Sequence, residues 1–211
     1  MALHFPKVPA TFLHIPKNGG SSLIRWADEQ YAEQTVKSKL ELHNVAELSE
    51  YWNLGQVFTF VRNPFDRLVS MYHFWGQSAE RRLALINNNP AILAHKDYAK
   101  FKGNFEQDLK QYEIYKQGFH NWVMSDTESP NSVSKKDNQV SWFSGTDPII
   151  IKLENLQTDF RKIQKLLNCY DSLPHVNKSK HNDYRSYYNS ESIKRVEEIC
   201  KADLDRFNYD F

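Results

Sequence analysis

The chain reads as an α/β protein built on a central parallel sheet, and three observations carry that reading. Runs beginning at Phe12, Val57 and Ile149 are short and almost wholly apolar, as strands buried on both faces are. Each run is followed by a segment whose apolar residues recur at helical spacing. The first two strand-to-helix corners hold hydroxyls and cations, the first with two glycines as well, and open α/β sheets bind ligands at such carboxyl-end corners.

Taken in order, the first strand–helix unit spans about 11–31, with Leu23, Ile24, Trp26 and Ala27 packing its helix. Polar residues follow through Ser38, and 40–48 begin a short helix that leads to the second strand at 57–61. Asn63 suits an N-cap and Pro64 the first helical position. Phe65, Leu68, Val69 and Tyr72 then fall at i, i+3, i+4 and i+7, a core-facing stripe. Residues 76–97 are expected to be helical in part, broken by Asn87-Asn88-Asn89-Pro90. Phe105, Leu109 and Tyr112 mark another helix, and 125–138, rich in Ser, Asn, Asp and Lys, reads as a long mobile loop. The third strand, 149–153, precedes a helix carrying Leu156, Phe160, Ile163 and Leu167. Ile193, Val196, Cys200 and Leu204 define the last helix.

No internal repeat or low-complexity tract interrupts the pattern, so the expectation is a single domain over 1–211. A chain of 211 residues can bury roughly 70% of its unfolded surface as one core. Charges are nearly balanced, 27 basic against 26 acidic, so no overall field draws the chain to nucleic acid or to a membrane surface. Near Met1 there is no basic segment followed by an apolar run, and no apolar stretch reaches 18 residues. Cys169 and Cys200 read as reduced core thiols.

The most informative stretch is His14-Ile15-Pro16-Lys17-Asn18-Gly19-Gly20-Ser21-Ser22. It places a cation, two glycines and two hydroxyls where a helix begins, and a helix start offers unpaired N–H groups to an anion. Glycine lets the backbone approach that anion closely. A Walker loop does not fit, because its lysine follows the glycines and is itself followed by Ser or Thr, whereas Lys17 precedes Gly19. The second corner supplies Arg62 at the carboxyl end of a strand and Ser70 on the following helix. An arginine fork with a hydroxyl can hold a phosphate dianion. Singly, Arg62 and Ser70 also suit an ordinary protein surface.

Together the two corners resemble the PAPS-dependent sulfotransferases, in particular the carbohydrate-type family. Its 5′-phosphosulfate loop is similar to 14–22, with threonine more usual at the positions of Asn18 and Ser21. Its 3′-phosphate motif resembles Val61-Arg62-Asn63-Pro64-Phe65-Asp66-Arg67-Leu68-Val69-Ser70 almost residue for residue. A third block, from Leu173-Pro174-His175 through Asp183-Tyr184-Arg185 to the closing Phe207-Asn208-Tyr209-Asp210-Phe211, is also similar. Lys152-Leu153-Glu154-Asn155 departs from the family, which usually has arginine first.

The resemblance implies a P-loop NTPase-like three-layer sandwich that moves a sulfuryl group from 3′-phosphoadenosine 5′-phosphosulfate (PAPS) to an acceptor hydroxyl. The product nucleotide is 3′-phosphoadenosine 5′-phosphate (PAP). Lys17, Asn18, Gly19, Gly20, Ser21 and Ser22 are the expected 5′ contacts, and Arg62 and Ser70 the 3′ contacts. Lys178 and Ser179, in a basic patch with Lys180 and His181, are expected to close over the phosphates. Lys17 would steady the charge that builds on the leaving oxygen. A base is needed for the acceptor proton, and His43, in a segment similar to a His-containing stretch of the family, is the first choice. His14, Glu41 and Glu154 stand in reserve. The scheme calls for no metal, and the 8 histidines form no zinc pattern. The acceptor is expected to be a carbohydrate or a small hydroxylated molecule. Golgi relatives carry a membrane anchor, so the expectation here is a cytoplasmic, bacterial or phage-like protein, unless an anchor lies outside this sequence. A kinase-like phosphoryl transferase and a catalytically inactive nucleotide-binding module remain as alternatives, and oligomeric state is left open.

Overall fold

Apolar runs become strands here because their residues are covered on both faces. The computed structural model describes residues 2–5, 7–31, 36–37, 55–88, 109–110, 112–126, 134–174 and 181–211. By contact it divides into two units. The first, 1–63 with 138–178 and 202–210, contains the sheet. Strands β1 (Ala2–Phe5), β2 (Ala10–Leu13), β3 (Val36–Lys37), β4 (Gln56–Val61) and β5 (Ile149–Lys152) stand in the order β3-β1-β2-β4-β5.

β2, β4 and β5 are parallel, with Leu13 opposite Thr59 and Val61 opposite Lys152. This is the expected parallel centre. The sheet is nevertheless mixed, because β1 runs antiparallel to both β2 and β3. A turn at 7–9 folds β1 directly back onto β2, where Phe5 pairs with Ala10. A connection that short can join only antiparallel neighbours. On the adjacent pair, the buried Thr59 hydroxyl donates to the Leu13 carbonyl at 2.8 Å.

One sheet face, with Leu3, Phe5, Phe12, Phe58, Phe60 and Ile151, packs against helices α1 (Gly20–Tyr31) and α4 (Leu156–Leu167). Trp26 of α1 meets Phe160 of α4 edge-on at 5.4 Å, and Phe160 meets Phe60 at 6.3 Å. Trp26 Nε1 donates to the Asp171 carbonyl, and Tyr31 donates to that of Leu167. Thr11, Leu13, Val57, Thr59 and Val61, on the opposite face, are also buried.

The second unit, 64–137 with 179–201 and Phe211, is helical in its described residues. Its axis is α2 (Pro64–Asn88), with α3 (Phe119–Met124) packed on it and α5 (Ser190–Ile199) packed on α3. Pro64 opens α2, as the sequence suggests, and α2 runs through Gly76 to Asn88, inside the expected break at 87–90. A Cβ on Gly76 would lie 2.0 Å from the Tyr115 ring, so the glycine serves packing and not a break. Tyr188 packs on Phe65, Phe119 and Phe211 and donates to the Phe65 carbonyl.

The expected last helix is instead two, α5 and α6 (Lys201–Phe207), because the chain turns at Cys200. Asn189 caps α5 in a reciprocal capping box with Ser192. The helix expected at 40–48 lies outside the described residues, as do 127–133 of the expected loop. The described end of that loop is ordered locally, since the buried Lys135 ammonium donates to the carbonyls of Trp122 and Ser125.

Candidate functional site

The carboxyl ends of β2 and β4 are adjacent, so the corners that follow them are neighbours. Lys17 takes the left-handed region (φ 70°), as does Gly19 (φ 79°), and Ser22 N–H donates to the Gly19 carbonyl at 3.0 Å. Gly20 opens α1 pressed against His14, where an added Cβ would sit 2.1 Å from the imidazole. That ring in turn stacks on Phe12 at 6.0 Å. At Gly19 a Cβ would come 2.9 Å from Leu153. Both glycines are therefore demanded by the loop's own packing, before any ligand is considered. Ser21 is exposed and Ser22 partly so, both on the first turn of α1.

Asn18 is fully buried. Its Nδ2 donates to the Phe60 carbonyl at 2.8 Å and to Gln139 Oε1 at 2.7 Å, tying the loop to the end of β4. Arg62 Nη1 donates to the Lys17 carbonyl at 3.2 Å, so a guanidinium from the second corner grips the first. Burial first and the nearby Arg62 charge second together push the Lys17 ammonium down to about 8. Two cations held this close favour an anion as their common ligand.

Gln139 and Asp203 also belong to the site, and the sequence reading passed over both. Gln139, first residue of a short 3₁₀ turn (Gln139–Phe143), accepts at Oε1 from Arg62 N–H (3.0 Å) and donates from Nε2 to the Arg62 carbonyl (2.9 Å). Asp203 on α6 accepts from Gln139 N–H, Gln139 Nε2 and Val140 N–H. A signal was present: Cys200, Asp203 and Phe207 recur at i, i+3 and i+7, which places a carboxylate on a buried helical stripe.

A sulfotransferase family model matches residues 5–210. The chain belongs to the sulfotransferase family. No curated protein and no solved structure matches it significantly. Membership brings the P-loop-like α/β fold with it, implies a transferase, and names sulfuryl transfer as the reaction class.

Within this sulfotransferase, Lys17 to Ser22 and Arg62 come together in the first unit. Ser70 is buried on α2, in the second unit. His43, Lys178 and Ser179 lie outside the described residues, as does Glu41. Glu154 has both oxygens engaged, accepting from Asn63 N–H (2.6 Å) and from the Tyr209 hydroxyl (2.8 Å). Burial and that carboxylate raise the Tyr209 phenol well above its ordinary range. Lys152 donates to the Phe207 carbonyl and lies over the Tyr209 ring at 4.4 Å. Asn63 Nδ2 donates to the Asp210 carbonyl, so this corner is tied to the end of the chain. His14, the rival base by proximity, is committed to packing beneath Gly20. In the second unit, His73 bonds Tyr187 and stacks on His181 at 5.5 Å, and burial lowers its basicity.

Proposed function

We propose that this sulfotransferase takes its sulfuryl group from PAPS and passes it to an acceptor hydroxyl on a carbohydrate or other small hydroxylated molecule. One observation carries the reading: the Arg62 guanidinium rests on the Lys17 carbonyl, so cations from two adjacent strand ends are held as one unit. A nucleotide with phosphate at both its 3′ and 5′ positions suits such a paired site.

In the transfer, the bond between sulfur and the bridging oxygen of the 5′-phosphate breaks, and that oxygen keeps the electron pair. A new bond forms from sulfur to the acceptor oxygen, whose proton passes to a base. Lys17 places its ammonium beside the leaving oxygen, where charge builds most. The loop N–H groups from Asn18 to Ser21 surround the phosphate, with the Ser22 hydroxyl beside them, and the turn closed by Ser22 N–H on the Gly19 carbonyl sets their geometry before the donor arrives. Arg62, with Ser70, takes the 3′-phosphate, and Lys178 and Ser179 add to that grip. His43 serves as the base. Removing one preorganised donor of the Lys17 kind lowers the rate by about 10²–10³. The protein is expected to work without a metal and in the cytoplasm.

Melting the protein with PAP in metal-free buffer tests the donor. At 100-fold over Kd the ligand adds ~2.7 kcal/mol, a rise of roughly 5–10 °C for a chain of this size. A response to ATP with magnesium and none to PAP would favour phosphoryl transfer. A full PAP response with no labelled sulfate passed to a broad acceptor panel, unaltered by His43→Ala, would favour an inactive binding module.

A further inference from the structure

We propose that Gln139 and Asp203 are positioning residues that lock the two cationic corners at a fixed separation, so that Lys17 and Arg62 meet the donor together. The proposal rests on the donor reading above for its functional consequence, but its geometry stands in the protein alone.

The Gln139 amide behaves as an extra strand residue. Its oxygen accepts from Arg62 N–H and its nitrogen donates to the Arg62 carbonyl, the two-way exchange one strand residue makes with another. That same oxygen accepts from Asn18 Nδ2 at 2.7 Å. One buried side chain therefore holds the backbone at Arg62 and the loop residue beside Lys17. The amide has two faces, and only one orientation works. Turned over, its NH₂ would confront two donors, Asn18 Nδ2 and Arg62 N–H.

Asp203 removes that choice, because its Oδ2 accepts from Gln139 Nε2 at 3.0 Å. The carboxylate also accepts from Gln139 N–H at 2.8 Å and Val140 N–H at 3.0 Å. Asn138 Oδ1 completes the exchange by accepting from Asp203 N–H at 3.2 Å. Asp203 and Gln139 are fully buried, so neither is placed to touch an acceptor. An anion here would repel the donor's phosphates if it were a ligand. Occupied by backbone N–H groups, it instead orients the amide that orients the corners.

Gln139→Met keeps the volume and deletes the amide; Asp203→Asn keeps the shape and leaves one acceptor oxygen, facing an NH₂ donor, for the three N–H groups of Gln139 and Val140 that two oxygens now serve. Three quantities are read on each: cooperative melting, the pH midpoint for amine labelling of Lys17, and PAP affinity by calorimetry. In the wild-type protein the midpoint is expected at about 8. In folded variants it should move up toward 10.5, as the loop loosens from Arg62 and Lys17 regains water. PAP affinity should fall roughly ten- to hundred-fold.

A folded variant with an unmoved Lys17 midpoint overturns the proposal, as does a moved midpoint with unchanged PAP affinity. If Gln139→Met does not fold, Asp203→Asn decides. Failure of both to fold overturns it too, since the pair would then serve the core and not the site. If wild-type protein binds no PAP, the donor reading fails, while the Lys17 midpoint still decides whether the pair positions the corners.

Discussion

Lys17 is the residue at which stability and chemistry pull apart. Its ammonium titrates near 8 in the fold, against 10.5 when solvated, because burial and Arg62 disfavour the charge. Below about 8 the group is charged in both folded and unfolded chains, so the whole penalty, up to about 3 kcal/mol, opposes folding at neutral pH. Between about 8 and 10.5 the unfolded chain binds more protons than the folded one, so this residue's contribution to stability improves as pH rises. Lys17→Gln should therefore raise the denaturation midpoint at pH 7 while abolishing sulfate transfer, and urea melts beside a transfer assay would check both. A bound anion reverses the shift. PAP binding near pH 9 should be accompanied by proton uptake, visible as a buffer-dependent binding heat, and an absence of uptake would separate Lys17 from the ligand. Lys17 and Arg62 were legible as candidates because each stands at the carboxyl end of a strand, Lys17 before a pair of glycines and Arg62 inside a motif that resembles the family's. Gln139 was not, because a bracing amide has no local pattern and its partners lie 77 and 64 positions away, and Asp203 left only the trace of a carboxylate on a buried stripe.

At the level of elements, the β2–α1 corner depends on the fit of Gly20 to His14. Gly20→Ala puts a methyl group into the imidazole, and overpacking of this kind typically destabilises by ~1–3 kcal/mol. The double variant Gly20→Ala/His14→Ala should recover much of that loss in urea melts. No recovery would mean that the ring is not what restricts residue 20. The parallel strands were readable because apolar runs bounded by helical patterns suit nothing else so well. β1 escaped notice because Ala2–Phe5 is four residues long, with His4 interrupting its apolar character, and only pairing with β2 makes it a strand. β3 is two residues in a polar stretch and carries no periodic signal. α2 closes at Asn88, within the expected break at 87–90, and Gly76 sits inside it because a tertiary contact, the Tyr115 ring, leaves no room for a side chain there.

Across the whole molecule, the site stands on an aromatic core that joins the sheet to α1 and α4. Trp26 is fully buried there, in contact with Tyr31 and Phe160. Trp26→Ala should lower stability by ~3–5 kcal/mol, read as a fall of roughly 10 °C or more in Tm. The family match over residues 5–210 takes in both compact units, so one reaction class covers segments that pack as two bodies. The sequence foresaw the reaction class through motif order, since three blocks run from the first corner to the last residue. It could not foresee the division into units, because chain segments far apart in sequence make up each of them.

The central claim is that Lys17 and Arg62 hold a single nucleotide between them. Calorimetric PAP titration of wild type, Lys17→Ala, Arg62→Ala and the double variant tests it most directly. Shared binding predicts that the losses fail to add, with a coupling of ~1–3 kcal/mol between the two positions. Wild-type PAP affinity in either single variant would take that cation off the nucleotide and contradict the account.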